Sequence, residues 1–142
     1  MAREVDEQVL HDHIVTLLRR EYYDYPSVAH PHLITFANHP LKNRGVKAAD
    51  GTELFPDIVV FQGGSDTLVT VAEVETESTL DSAEVEEWRS FSNLNAKFYL
   101  YFPKGHGPAV ALLCRGIAVT EFVEFHKEDG RYVLERYLPP SV

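Results

Sequence analysis

Cysteine is almost absent from this chain. Cys114 is the only one in 142 residues, so no internal disulfide can form and no thiolate metal site can be assembled. Its setting, Ala111-Leu112-Leu113-Cys114, predicts a small buried thiol. Long apolar runs are missing too, and none approaches the roughly 20 residues that cross a bilayer as a helix. The first residues, Met1-Ala2-Arg3-Glu4-Val5-Asp6-Glu7, are charged and lack the apolar centre of a signal peptide. The expectation is a cytoplasmic protein with no membrane partner. Basic residues are scarce: 13 Lys and Arg face 22 Asp and Glu, a formal net charge of −9. That balance argues against non-specific nucleic-acid binding, which depends on Lys and Arg neutralising phosphates. Several catalytic signatures are also absent. Gly63-Gly64 leads into Ser-Asp and a strand pattern, not a helix, so there is no phosphate loop. There is no Gly-x-Ser-x-Gly elbow, no catalytic Cys-His signature and no HExxH, and no organic cofactor is expected.

The hydrophobic share, 44%, is ordinary for a globular protein, and the length suits a single domain over residues 1–142. Leu10, Ile14, Leu17 and Leu18 recur at helical spacing, with Asp6 as the expected N-cap, Arg19 and Arg20 near the C-terminal end, and Pro26 as the outer limit. Residues 32–36 read as a first strand, and residues 46–50 as a short one entering the Asp50-Gly51 turn. Residues 53–61 and 67–75 are expected to pair around Gly63-Gly64-Ser65-Asp66. A second helix is expected over residues 82–94, capped by Thr79 or Asp81, with Val85, Trp88, Phe91 and Ser92 facing inward. Residues 97–102 form a strand ending at Pro103, and Pro108 starts a short helix to about Cys114. Residues 119–126 and 131–138 flank Glu128-Asp129-Gly130 as a closing hairpin. The order predicts a mixed α/β or α+β domain around one sheet.

The chemistry concentrates between Pro56 and Glu75. Alternation puts Glu73 and Glu75 on one side of their strand, and pairing with the preceding strand brings Asp57 close to both. Carboxylates so placed repel one another unless a cation neutralises them, and Mg²⁺ or Mn²⁺ suits such oxygen ligands. Read alone, the two glutamates could equally be the wet face of a half-exposed strand. The acidic run continues through Glu77, Asp81, Glu84, Glu86 and Glu87 with no basic residue between them. Lys42, Arg44 and Lys47 form the one basic loop nearby, read as a solvated turn unless it meets a polyanion. His30-Pro31-His32 and His39 lack zinc-site spacing and read as surface or turn residues. Tyr22, Tyr23 and Tyr25 are expected to pack on the sheet, and Trp88 to join the core.

Pro56-Asp57 at a strand start, then Glu73-Val74-Glu75 on the next strand of a helix-flanked meander, resembles the PD-(D/E)XK nuclease superfamily, the restriction-endonuclease-like fold. Glu87-Trp88 and Phe98-Tyr99-Leu100-Tyr101-Phe102-Pro103 extend the likeness to an uncharacterised prokaryotic branch of it. The resemblance covers about residues 5–115 and implies an α-β-β-β-α-β core; the hairpin at about residues 117–138 lies beyond it. It implies a metal-dependent nuclease that hydrolyses phosphodiesters in DNA, with Asp57, Glu73 and Glu75 as catalytic residues. Asp57, Glu73 and the Val74 carbonyl would hold Mg²⁺ or Mn²⁺. Glu7 and His11 on the first helix and Lys47 are the accessory candidates, and Lys42 and Arg44 the nucleic-acid contacts. The chain departs from the motif at Glu75, where the family usually has Lys, although some restriction enzymes of the superfamily carry Glu there and remain active. The alternative is a catalytically inactive member serving as a protein-binding or dimerisation module, a homo-dimer included, with Phe122, Phe125, Tyr132 and Tyr137 of the hairpin as a partner surface.

Overall fold

The structure, a computed structural model, describes residues 3–140, so the two ends of the 1–142 range lie outside the described residues. It is a mixed α/β arrangement of one six-stranded mixed sheet, three α-helices and a C-terminal hairpin. Helix α1 spans Val5–Glu21 and is followed by β1 (Leu33–Ala37). Strands β2 (Val46–Lys47) and β3 (Glu53–Leu54) pair with each other as a separate ribbon. Then come β4 (Ile58–Gln62), β5 (Leu68–Val74), α2 (Val85–Ser92), β6 (Lys97–Pro103), α3 (Gly107–Leu113), β7 (Glu121–Glu128) and β8 (Arg131–Tyr137). The order across the sheet is β1-β4-β5-β6-β7-β8. Neighbours are antiparallel at β1–β4, β4–β5 and β7–β8, and parallel at β5–β6 and β6–β7. Parallel neighbours need a crossover, and α2 and α3 supply the two.

Three local expectations shift. The run over residues 53–61 is not one strand: it breaks at Phe55-Pro56-Asp57, because proline has no N–H for a ladder and fixes its own φ. Helix α1 begins one residue before Asp6; Glu4 holds the N-cap position with no side-chain cap bond. The second helix splits into a 3₁₀ turn at Ser82–Glu84, capped by the Asp81 carboxylate accepting from Ala83 N, and the α-helix that follows. The hairpin is not an appendage, since β7 pairs with β6 and extends the sheet by two strands. Its turn residues Asp129 and Gly130 have φ of 51° and 77°, the left-handed pair that matches the twist of the flanking strands.

Strand alternation divides the core. Val59, Phe61, Val71, Phe98, Leu100 and Phe102 meet Trp88, Phe91, Val110 and Cys114 on one face. Ile58, Val60, Ala72, Val74, Tyr101 and Phe125 meet Ile14, Val15 and Leu18 of α1 on the other. Cys114 is buried, as its neighbours predict. Of the tyrosines, Tyr23 docks on the sheet, its hydroxyl 2.6 Å from that of Tyr101, while Tyr22 stays exposed. Among the described residues no helix is long and apolar enough to cross a membrane.

Strand β8 is clamped to α3 where Gly107 lies against the Tyr137 ring, which a Cβ would penetrate. Gly107→Ala should therefore destabilise the fold by about 1–3 kcal/mol, the usual scale of overpacking. Urea unfolding followed by circular dichroism measures it; an unchanged midpoint would mean that the hairpin does not press on α3.

Candidate metal centre

The register Ile58↔Ala72 extends by one step to bring Asp57 opposite Glu73. Here the ladder is completed by carboxylates. Asp57 Oδ2 accepts from Val74 N at 2.8 Å, and Glu73 Oε1 accepts from Asp57 N at 2.9 Å. Each strand's acid thus satisfies a backbone N–H of the other, which locks both side chains at the strand ends. Asp57, Glu73 and Glu75 are all buried. They border a concavity of about 420 Å³, which Arg3, His11, His39, Lys42, Thr79, Glu84 and Glu87 also line.

Two imidazoles converge on Asp57. His11 Nε2, from the buried face of α1, lies 3.0 Å from Oδ2, and His39 Nε2 lies 2.8 Å from Oδ1. Burial acts to raise the Asp57 carboxyl, but the hydrogen bonds from His11 and His39 prevail and hold it far below the usual carboxylate range. His39 is pushed up in return, chiefly by its bond to Asp57. It is held by the loop after β1. Buried Asn38 ties that loop down, its amide nitrogen donating to the carbonyls of Pro56 and Arg44 and its oxygen accepting from Asn43 N and Arg44 N.

Glu73 and Glu75 have different fates. Burial, then the charges of Asp57 and Glu75, push the Glu73 carboxyl well above its ordinary value, and it shares a hydrogen bond with Glu87. Glu73 is a buried acid short of positive charge. Glu75 is held on both oxygens: Trp88 Nε1 donates to Oε2 at 2.7 Å, and Thr79 Oγ1 donates to Oε1 at 2.7 Å. Arg3 reaches Oε1 at 3.2 Å and also donates to the Val74 carbonyl and the Thr76 hydroxyl. Burial pushes the Glu75 carboxyl up to about 8, against the pull of the Trp88 and Thr79 hydrogen bonds. Glu75 is thereby a brace between β5 and α2, more than a free base.

Of the residues singled out from the sequence, Asp57, Glu73, Glu75 and His11 come together, and Lys42 lines the same concavity with its ammonium 4.7 Å above the Phe55 ring. Glu7 does not join them: it accepts from Ser78 N at 2.9 Å, outside the concavity's lining. Lys47 is exposed on β2 and faces a different hollow. Arg44 is bound to Asp66 at 2.8 Å and stacks on Phe61, also away from the carboxylates. The Val74 carbonyl already accepts from Arg3. His30 and His32 are exposed as expected, but His39 is not the free turn histidine its spacing suggests. His39, Glu87 and Arg3 are the site residues that pattern reading misses. Glu87 left a trace as the neighbour of Trp88 in the acidic run, and His39 as a histidine set aside for want of zinc-site spacing.

Two groups of ligand-type side chains result, His11 with His39 and Asp57, and Glu73 with Glu75 and Glu87. Within each group the ligand atoms lie within 4.8 Å of one another, so this buried acidic and histidine cluster could hold a metal ion. Comparison with protein-family models, with curated proteins and with solved structures yields no significant match, so the reading of the site rests on its own geometry.

The pH dependence of stability follows from these shifts. Folded Glu75 keeps its proton between its ordinary value of 4.5 and about 8, where the unfolded chain has released it. Its contribution is full below 4.5 and is lost as pH rises through about 8. Glu73 and His39 act in the same sense, and Asp57 in the opposite one, its contribution fading only as pH falls below 3.8. In chelator, the melting temperature should therefore fall from about pH 5 to about pH 8. Glu75→Gln should flatten that slope, and an identical slope in the variant would contradict the assignment.

Proposed function

We propose that the protein is a metal-dependent phosphodiesterase of nuclease type, acting on DNA and related to the PD-(D/E)XK superfamily. The observation that carries this reading is the reciprocal Asp57–Glu73 pair, set at the ends of two adjacent strands and opening into a concavity with further acids. The donor set fits a hard divalent cation: Glu73 is buried beside Asp57 and Glu87 with its charge uncompensated, and such an ion relieves that repulsion. Asp57 and Glu73 would hold Mg²⁺ or Mn²⁺, which when bound would supply charge neutralisation at phosphoryl oxygens and a more acidic water.

The chain's own residues do the rest. Glu87, exposed on α2, is the oxygen donor beside Glu73 that is left available, because Glu75 is spent on Trp88, Thr79 and Arg3. Lys42 on the rim offers the positive charge that a phosphate needs. Arg3 does not substitute for the motif lysine, since its donors go to Val74, Glu75 and Thr76. The surrounding acids repel a polyanion until the cation binds, so DNA binding and metal loading are coupled.

Supercoiled and single-stranded DNA, incubated with Mg²⁺ or Mn²⁺, should be cleaved, with no binding or cleavage in chelator. Asp57→Asn and Glu73→Gln should each lower the rate by about 100-fold or more, the scale of losing one electrostatic element of the transition state. Glu75→Gln should cost less. The tied-down Glu75 also favours a second reading, a non-catalytic protein-binding or dimerisation module. Complete inactivity on DNA and RNA with either ion, together with no binding of either ion by calorimetry, would replace the first reading with the second.

A further inference from the structure

His11 and His39 bring two imidazoles onto one buried carboxylate, that of Asp57. His11 Nδ1 lies 3.0 Å from Asp12 Oδ1, which also accepts from the Gln8 amide at 2.9 Å. A carboxylate only accepts, so Nδ1 must carry the proton. Nε2 of the same ring faces Asp57 Oδ2 at 3.0 Å, an oxygen that also takes the Val74 N–H. His39 approaches the other oxygen of that carboxylate, with Nε2 2.8 Å from Asp57 Oδ1, while its Nδ1 stands 3.8 Å from Asp12 Oδ1. The two rings stand edge to face with centroids 4.5 Å apart. One ligand atom from each of His11, His39 and Asp57 lies within 4.8 Å of the other two.

We propose that His11 Nε2, His39 Nε2 and the Asp57 carboxylate form a second site, for a transition-metal ion of the Zn²⁺ class, beside the all-oxygen acids. Imidazole with carboxylate selects borderline ions over Mg²⁺. Such ligands sit about 2.0–2.2 Å from the ion, so at right to tetrahedral angles they stand about 3–3.5 Å apart. The imidazole–carboxylate separations are 2.8 Å to Oδ1 and 3.0 Å to Oδ2, so an ion between them would draw the ligands slightly apart. Asp12 behind Nδ1 of His11 is the outer carboxylate that fixes ring orientation in carboxylate–histidine–metal sites. Three protein ligands would leave a four-coordinate ion one open position, and all three side chains line the concavity, the pattern of a catalytic rather than a structural site. The inference rests on the histidines and stands whether or not the protein cleaves DNA.

The test is Zn²⁺ calorimetry and Co²⁺ visible absorption on chelator-treated full-length protein. Wild type should bind one equivalent of Zn²⁺ and give the absorption bands of nitrogen-ligated Co²⁺. His39→Ala, at a half-buried position, should weaken Zn²⁺ at least about 10-fold, and Asp12→Asn about 10- to 100-fold. His126→Ala, on the distant hairpin, should leave the affinity unchanged. Should His39→Ala not fold, His39→Gln and imidazole nitrogen shifts of His11 in wild type give the same readout. No Zn²⁺ binding, an affinity indifferent to His39, or an equal loss in His126→Ala would overturn the site. Zn²⁺ binding, with neither binding of nor cleavage under Mg²⁺ or Mn²⁺, would leave it standing while refuting the nuclease reading.

Discussion

The exchange of side-chain carboxylates for ladder hydrogen bonds at Asp57 and Glu73 is the constraint on which the site depends. Pro56 interrupts the run into β4, and the first available N–H, that of Asp57, is met by Glu73 instead of by a carbonyl. Asp57 answers by accepting from Val74 N. A buried backbone N–H must be satisfied, so neither acid can swing away without stranding one. Two carboxylates are therefore held close in a place where their charges repel. The imidazoles, Arg3, the raised Glu73 and the capacity for a cation are all responses to that arrangement.

The responses come from separate parts of the chain. Helix α1 supplies His11, the loop after β1 supplies His39, and the segment after β5 supplies Thr79 and then Trp88. Asp57 is compensated by two histidines and stays charged, Glu75 is compensated by hydrogen bonds and an arginine, and Glu73 is left to share a proton with Glu87. Three acids of similar chemistry thus acquire three roles from their neighbours. Glu75 is thereby a structural strut, held by Trp88, Thr79 and Arg3.

Much of the fold was legible in the residues. The apolar runs of β4, β5 and β6, the helical spacing of Leu10, Ile14 and Leu18, and the Asp129-Gly130 turn are local signals, and each became the element it indicates. The same-side placement of Glu73 and Glu75, with Asp57 opposite, was also readable, because strand period and hairpin pairing are short-range rules. Reading failed where partners are remote. Glu7 looked like the natural acid on α1, but Ser78 N claims it. His39 looked like a turn histidine, yet its ring reaches Asp57.

By itself, the sequence determined the mixed α/β class, the strands that carry the acids, and the exclusion of disulfide and thiolate chemistry, since these depend on local period and composition. Only the tertiary structure decided which groups compensate which charge. Arg3 and Glu75 are 72 positions apart, and His11 and Asp57 are 46 apart. A contact over such separations arises from packing α1 against one face of the sheet, which no local pattern encodes. Charge compensation of a buried acid depends on distance in space, and that is what folding supplies.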